Sequence, residues 1–89
     1  MRAPYSRTIF ELLCEQAEIA PTGIAAIHGF RRVTYSELAD AAGRLAAGLR
    51  HKGVRRGDRV GLMSTNSIEW LEIFFATTAL GATLVPFST

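Results

Sequence analysis

Two short apolar segments separated by a helix-length stretch constrain the fold of this chain more than any other feature. Residues 60–63 and 83–87 have the length and composition of buried strands, and each follows a turn-forming glycine, Gly57 or Gly81. Residues 67–80 between them predict a helix. A strand, a helix and a strand of these lengths form a βαβ unit, whose strands pair in parallel through a right-handed crossover. The sequence therefore predicts an α/β fold.

Two further helices are indicated by capping boxes, in which a threonine is followed three residues later by a glutamate. One box occupies residues 8–11 and the other residues 34–37. Apolar residues at helical spacing follow each box, so we predict helices near residues 8–20 and 35–52. The second helix has an apolar stripe made of Leu38, Ala41, Ala42, Leu45, Ala46 and Leu49. Because half of these residues are alanines, the helix can pack closely on a flat sheet.

The segment between these two helices has a different pattern. Apolar residues from Ile24 and again around Val33 flank a central His-Gly-Phe-Arg sequence. This arrangement predicts a β-hairpin that turns at Gly29. The expected fold is thus a β-hairpin plus a βαβ unit with parallel strands and three helices.

The predicted third helix is apolar around most of its circumference. Nine of its fourteen residues are apolar, and such a helix requires cover on more than one side. A parallel pair likewise needs both of its faces covered. We therefore expect an exposed apolar patch formed by Trp70, Phe74, Phe75 and Phe87, which predicts that the isolated chain is loosely packed or prone to aggregate.

Composition narrows the class of protein. Apolar residues make up 48% and charged residues 20% of the 89 residues, which is typical of a single globular domain. The one cysteine, Cys14, excludes an internal disulfide, and the first residues lack the pattern of a signal peptide. We expect a cytoplasmic protein. The longest uncharged stretch, residues 73–89, is too short and too often interrupted to predict a membrane span.

Several segments resemble binding sites, but a structural role explains each more simply. Residues 64–67 precede a helix and could bind an anion, yet they contain neither glycine nor lysine, so capping is favoured. Residues 50–59 are strongly basic but lack aromatic residues for base stacking, which favours a solvated surface. His28, His51 and Cys14 share no metal-ligand spacing. We predict no catalytic, cofactor-binding or metal-binding residue in this chain.

The same segments resemble a known family over nearly the whole chain. The Val-Thr-Tyr-Ser-Glu-Leu start, the Gly-Asp turn and the Gly-Ala to Pro ending are together specific, although each alone is weak. They are similar, in order and approximate spacing, to the N-terminal end of adenylate-forming (AMP-binding) enzymes of the acyl-CoA synthetase type. The matching positions are residues 33–38, 45–49, 53–54, 57–60, 66–67, Trp70 and residues 80–86.

The resemblance implies a chemistry and also where that chemistry is located. Such enzymes use ATP and Mg²⁺ to convert a carboxylic acid to an acyl-adenylate, then transfer the acyl group to a thiol, commonly that of CoA. Their phosphate loop, ribose-binding acid and catalytic lysine lie downstream of the positions matched here. Residues 1–89 are therefore expected to be an incomplete N-terminal part of the domain, a scaffold that is inactive alone and is partnered by the remainder of the enzyme.

Two alternatives remain open at this stage. The chain could be a protein-interaction module that docks through helix 67–80 and strand 83–87, or a nucleic-acid-binding protein that uses residues 50–59. Continuation of the coding sequence beyond Thr89 would separate the interaction module from a ligase segment. The sequence does not decide whether the chain is a genuine short protein, the product of a truncated gene or a partial gene model. The acid, the acceptor thiol and the oligomeric state are left undetermined by the sequence.

Overall fold

The computed structural model describes residues 8–62 and 67–86, which form three helices and two separate two-stranded sheets. In chain order the elements are α1 (Ile9–Ile19), β1 (Ile24–His28), β2 (Arg31–Thr34), α2 (Tyr35–His51), β3 (Arg59–Leu62), α3 (Ser67–Ala79) and β4 (Thr83–Pro86). The predicted α/β class is confirmed. Each helix ends one residue before its predicted end, where a cap or a turn replaces helical backbone.

The βαβ unit predicted from the apolar segments is present. β3 and β4 pair in parallel, from Arg59 opposite Thr83 to Leu62 opposite Pro86. β3 begins one residue earlier than predicted, because the pairing of Arg59 extends the ladder toward the preceding turn, whereas Met63 lies outside the described residues. The helix α3 connects the two strands, so the crossover follows the predicted order.

The capping boxes have the expected geometry at both helix starts. The amide of Glu11 donates to Thr8 Oγ1 at 3.1 Å, and the amide of Thr8 donates back to Glu11 Oε1 at 3.1 Å. The equivalent distances for Glu37 and Thr34 are 3.1 and 2.9 Å. Each box satisfies two amides that would otherwise lack a partner in the first turn.

The predicted hairpin is confirmed, with an irregularity that the sequence did not indicate. β1 and β2 are antiparallel and turn at Gly29, whose φ of 63° is in the left-handed region. A β-bulge interrupts the register between Ile24 and Ala26. Because a bulge changes the alternation of faces, Ala25 and Ala26 both pack on the core, while Ile24 and Ile27 are exposed.

The core lies between the helices and the hairpin. Its buried cluster consists of Leu13 of α1, Val33 of β2, Leu38 and Ala42 of α2, and Ile68 of α3. The chief neighbour of α2 is α3, followed by α1, rather than a sheet as expected. The alanines of the α2 stripe allow this close approach between helices, since Ala42 and Ala46 are both buried.

The predicted apolar patch is only partly exposed. Trp70, Phe74 and Phe75 are half-buried, and the Trp70 and Phe74 rings stack with their centroids 5.2 Å apart; Phe87 lies outside the described residues. Intramolecular stacking and the cover that α1 and α2 provide for α3 account for the difference. Among the described residues, the most exposed large apolar side chains lie on α1 and the hairpin: Ile9, Leu12, Ile19, Ile24, Ile27 and Phe30.

Candidate functional site

The basic segment, residues 50–59, lies where two helix ends meet. An open cavity of about 600 Å³ is lined by the C-terminal part of α2, by Arg55, and by Ala79 and Leu80 at the end of α3. The C-terminal ends of two helices therefore lie beside the same cavity. Each helix C-terminus has a partial negative charge of about one half of an electron, which nearby cations stabilise.

Arg55 is held in place by the backbone around the end of α2. Its Nη1 donates to the carbonyl oxygens of Arg50 and Val54, at 2.9 and 3.1 Å. Its own amide donates to Asp58 Oδ2 at 2.7 Å. The guanidinium thus satisfies a carbonyl in the last turn of α2, which is a structural role of the kind favoured for this segment.

The turn that follows α3 contacts the aliphatic part of an arginine from elsewhere in the chain. The last turn of α3 contains no basic residue, but the side chain of Arg56 packs on Gly81, immediately beyond the helix. The amide of Gly57 donates to the Gly81 carbonyl at 2.9 Å, and the amide of Thr83 donates to the Asp58 carbonyl at 2.8 Å. The loop before β3 and the turn before β4 are therefore bonded directly to each other.

Replacing Gly81 with alanine is expected to destabilise this junction. Gly81 has a φ of 72°, and a Cβ placed there would lie 2.9 Å from Arg56 Cγ. We expect a loss of about 2 kcal/mol in the free energy of unfolding, measured by urea denaturation.

Gly48→Ala is the matched control for the Gly81 substitution. Gly48 lies within α2 and has open space at the Cβ position. Alanine there should stabilise the chain by about 0.5–1 kcal/mol, because alanine favours the helix over glycine. A Gly81→Ala chain as stable as Gly48→Ala would contradict the proposed junction.

A second cavity lies between α3 and β4. Its volume is about 320 Å³, and its lining includes Trp70, Phe74, Thr77 and Thr78. The two threonine hydroxyls already donate to backbone carbonyls within α3, each at 2.8 Å. The cavity is therefore a largely apolar groove in which two of the three threonine hydroxyls, those of Thr77 and Thr78, are engaged within α3; the third is that of Thr83.

The remaining candidate groups show no reactive arrangement. Burial raises the pKa of the Cys14 thiol, and the charges of Glu18 and Glu11 raise it further, so the thiol is held in its protonated, unreactive form. Arg44 pairs with Asp40, which raises the pKa of an already permanent cation. Within residues 8–62 and 67–86, no three His, Cys, Asp or Glu side chains are grouped to hold a metal ion.

Two further predictions concern a possible anion loop and a possible membrane span. Residues 64–66, considered as an anion loop or a helix cap, lie outside them, so that assignment stays a prediction. None of the helices that the structure describes has the length and apolar character to cross a membrane.

Comparison with known proteins gives the family. The sequence model described as AMP-binding enzyme matches residues 13–89, which is most of the chain. This chain belongs to the AMP-binding enzyme family. Among relatives, this AMP-binding family member is 44% identical over 71 residues to a feruloyl-CoA synthase of Amycolatopsis sp, and 37% identical over 83 residues to tyrocidine synthase 3 of Brevibacillus parabrevis. The matches cover 80% and 93% of the chain, but 14% and 1% of those proteins.

Solved structures of similar sequence agree with the fold. The N-terminal subdomain of NpsA from Klebsiella oxytoca has a TM-score of 0.85 and 30% identity, covering 91% of this chain and 21% of that one. A fatty acyl CoA synthetase of Mycobacterium tuberculosis has a TM-score of 0.84 and 34% identity, covering 92% of this chain and 17% of that one. The chain thus spans a minor part of the proteins it resembles.

The structure brings two of the matching segments together. Gly57 and Asp58 come from one matching segment, whereas Gly81 and Thr83 come from another, and the two segments are joined by backbone hydrogen bonds. The role of Arg56 beside Gly81 was missed at the sequence level. No local signal marks it, because its partner lies on the other side of β3 and α3 in the chain.

Proposed function

We propose that residues 1–89 form the N-terminal part of the adenylation domain of an ATP-dependent carboxylic acid:CoA ligase. Support comes from the family match and from relatives and structures whose names denote CoA synthases and synthetases. The enzyme would join an acid to AMP, release pyrophosphate, and pass the acyl group to the thiol of CoA. The comparisons favour neither of the alternatives, an interaction module or a nucleic-acid-binding protein.

Within that enzyme, this segment acts as scaffold. The observation that carries this proposal is that the Gly57-Asp58 turn and the Gly81 turn bond to each other across β3 and β4. Groups engaged in this way hold the βαβ unit together and do not present donors to a substrate. As the family resemblance implies, the groups that neutralise phosphate are proposed to come from other parts of the enzyme, and no catalytic step is assigned to this chain.

The site of action is proposed to be the cytoplasm, where CoA and ATP would be the co-substrates. The single cysteine supports a reducing compartment, since a disulfide within the chain is impossible. The proposal names CoA as the acceptor because a relative that is 44% identical over 71 residues is named a feruloyl-CoA synthase.

The proposed activity is tested with a protein that continues past Thr89 through the rest of the domain. With ATP and Mg²⁺, we expect acid-dependent release of pyrophosphate for one class among short, long and aromatic acids, followed by thioester formation when CoA is added. Omitting the acid provides the control. Pyrophosphate release that does not depend on the acid would count against a CoA ligase. So would an acyl-adenylate whose acyl group is not transferred to CoA.

A further inference from the structure

The outward side of α1 combines apolar and acidic side chains. Successive residues of a helix are rotated by about 100°, so Leu12, Glu15 and Ile19 lie on the side away from the core-facing Phe10 and Leu13. Leu12 and Ile19 are exposed. The helix contains three glutamates and no Lys, Arg or His. The outward side of α1 is therefore an acidic surface that also exposes large apolar side chains.

The outward face of the hairpin has the same apolar character and the opposite charge. Ile27 and Arg32 lie opposite each other across the two strands, and both are exposed. The next residue, Val33, is buried in the core, so Ile27 and Arg32 face away from it. Phe30, at the turn, is fully exposed. Residues 24–34 contain two arginines and one histidine but no Asp or Glu, so this face is basic.

These two surfaces do not cover each other within one chain. α1 packs chiefly on α2 and α3, and the hairpin packs on the same two helices. Arg31 forms an ion pair with Glu72 of α3, at 3.9 Å, so part of the charge of the hairpin is offset within the molecule. Arg32 belongs neither to that pair nor to the pair of Arg44 with Asp40. Each molecule therefore exposes both an acidic apolar helix and a basic apolar hairpin face.

The two surfaces also match in length. The eleven residues of α1 extend about 16 Å, and the five residues of β1 extend about 17 Å. Because every copy carries both surfaces, two copies can make the same contact twice and close into a two-fold dimer. Opposite charges then face each other in both contacts, whereas two helices or two hairpins would bring like charges together. Charge and shape therefore favour a second copy of this chain as the partner.

We propose that the chain associates with a second copy as a two-fold dimer in which α1 of each copy packs on the hairpin of the other. Leu12 and Ile19 of one copy cover Ile27 of the partner subunit, which removes exposed apolar surface from water. Glu18, which is exposed on α1, faces Arg32 of the partner subunit, and this pairing selects which surfaces meet. The dimer depends neither on the basic segment nor on the adenylation activity.

The test is analytical ultracentrifugation of the 89-residue chain over a range of concentrations. We expect a monomer–dimer equilibrium that weakens as salt rises from about 50 to about 200 mM. Glu18→Arg and Arg32→Glu should each weaken dimerisation about tenfold, because each places like charges together in both contacts of the dimer. An equimolar mixture of these two variants should regain the affinity of the unchanged chain, since both of its contacts again pair opposite charges.

The controls separate this contact from unspecific association. Lys52→Glu makes the same charge change at an exposed position beyond α2, and it should alter dimerisation less than about twofold. Ile27→Thr should weaken it several-fold, because it removes apolar contact area while keeping a β-branched residue in the strand. A mixture that associates no better than its two components, association that neither charge reversal changes, growth beyond a dimer, or a monomer at all concentrations would each overturn the proposal. Circular dichroism of every variant confirms that the helices are retained.

Discussion

The 89-residue chain assayed alone is expected to release no pyrophosphate above background with any carboxylic acid. Adenylate formation requires donors that neutralise developing phosphate charge, and losing a single such donor already lowers the rate of an enzyme by about a hundredfold to a thousandfold. Four of the matching family positions, Gly57, Asp58, Gly81 and Thr83, are bonded to each other through their backbones at the start of β3 and β4. Without the remaining groups, the expected loss is complete within the detection limit of the assay.

The measurement compares the chain with the protein that continues past Thr89, at equal concentration and with the same acids. Activity of the longer protein alone would support a scaffold role for this segment. Acid-dependent turnover by the chain itself would contradict that role, and would direct attention to Arg55, Arg56 and Arg59 as phosphate-binding groups. The turnover of an Arg56→Gln variant of the chain would then show whether residues 50–59 contribute to that activity.

Replacing Ile68 with alanine is expected to have the largest effect of any substitution on stability. Ile68 is 1% exposed and is one of the two largest side chains that are fully buried among the described residues. It lies in the cluster that joins α1, β2, α2 and α3. Truncation of a buried isoleucine to alanine costs about 2–5 kcal/mol, from lost burial and from the cavity that remains. For a chain of this size, that loss approaches the whole stability expected of a small domain.

The matched control for this core substitution is Ile19→Ala. Ile19 is 74% exposed at the end of α1, so the same chemical change should shift the free energy of unfolding by less than about 0.5 kcal/mol. Both are measured by urea denaturation followed through circular dichroism. Similar midpoints for the two variants would mean that the packing of α3 on α1 and α2 does not stabilise the isolated chain.

Local patterns in the sequence were sufficient for the secondary structure and for much of its pairing. The capping boxes at Thr8 and Thr34 predicted helix starts because their partners are only three residues away. Gly29 predicted the hairpin turn for a similar reason, since glycine itself adopts the positive φ of this turn without a steric cost. The parallel pairing of β3 with β4 followed from the length of the intervening helix, which limits how the chain can return.

The candidate sites were predicted less completely, because their character depends on residues that are distant in the sequence. The basic segment was recognised from its composition, but Gly81, which Arg56 contacts after the end of α3, lies more than twenty residues farther along the chain. The bulge near Ala25, which exposes both Ile24 and Ile27, depends on how β1 pairs with β2 and packs on the core. Neither feature follows from local spacing.

The sequence by itself determined the helices, the hairpin and the βαβ order, since these depend on capping, periodicity and turn chemistry within short stretches. The family was indicated by the resemblance of its motifs, and the family match confirmed it. Only the tertiary structure decided that α2 packs chiefly on α3, that Trp70 and Phe74 stack and are half-buried, and that Arg56 covers Gly81. The physical reason is that burial and electrostatic pairing are set by which surfaces meet. Which surfaces meet depends on the simultaneous packing of all the elements, and not on any one of them.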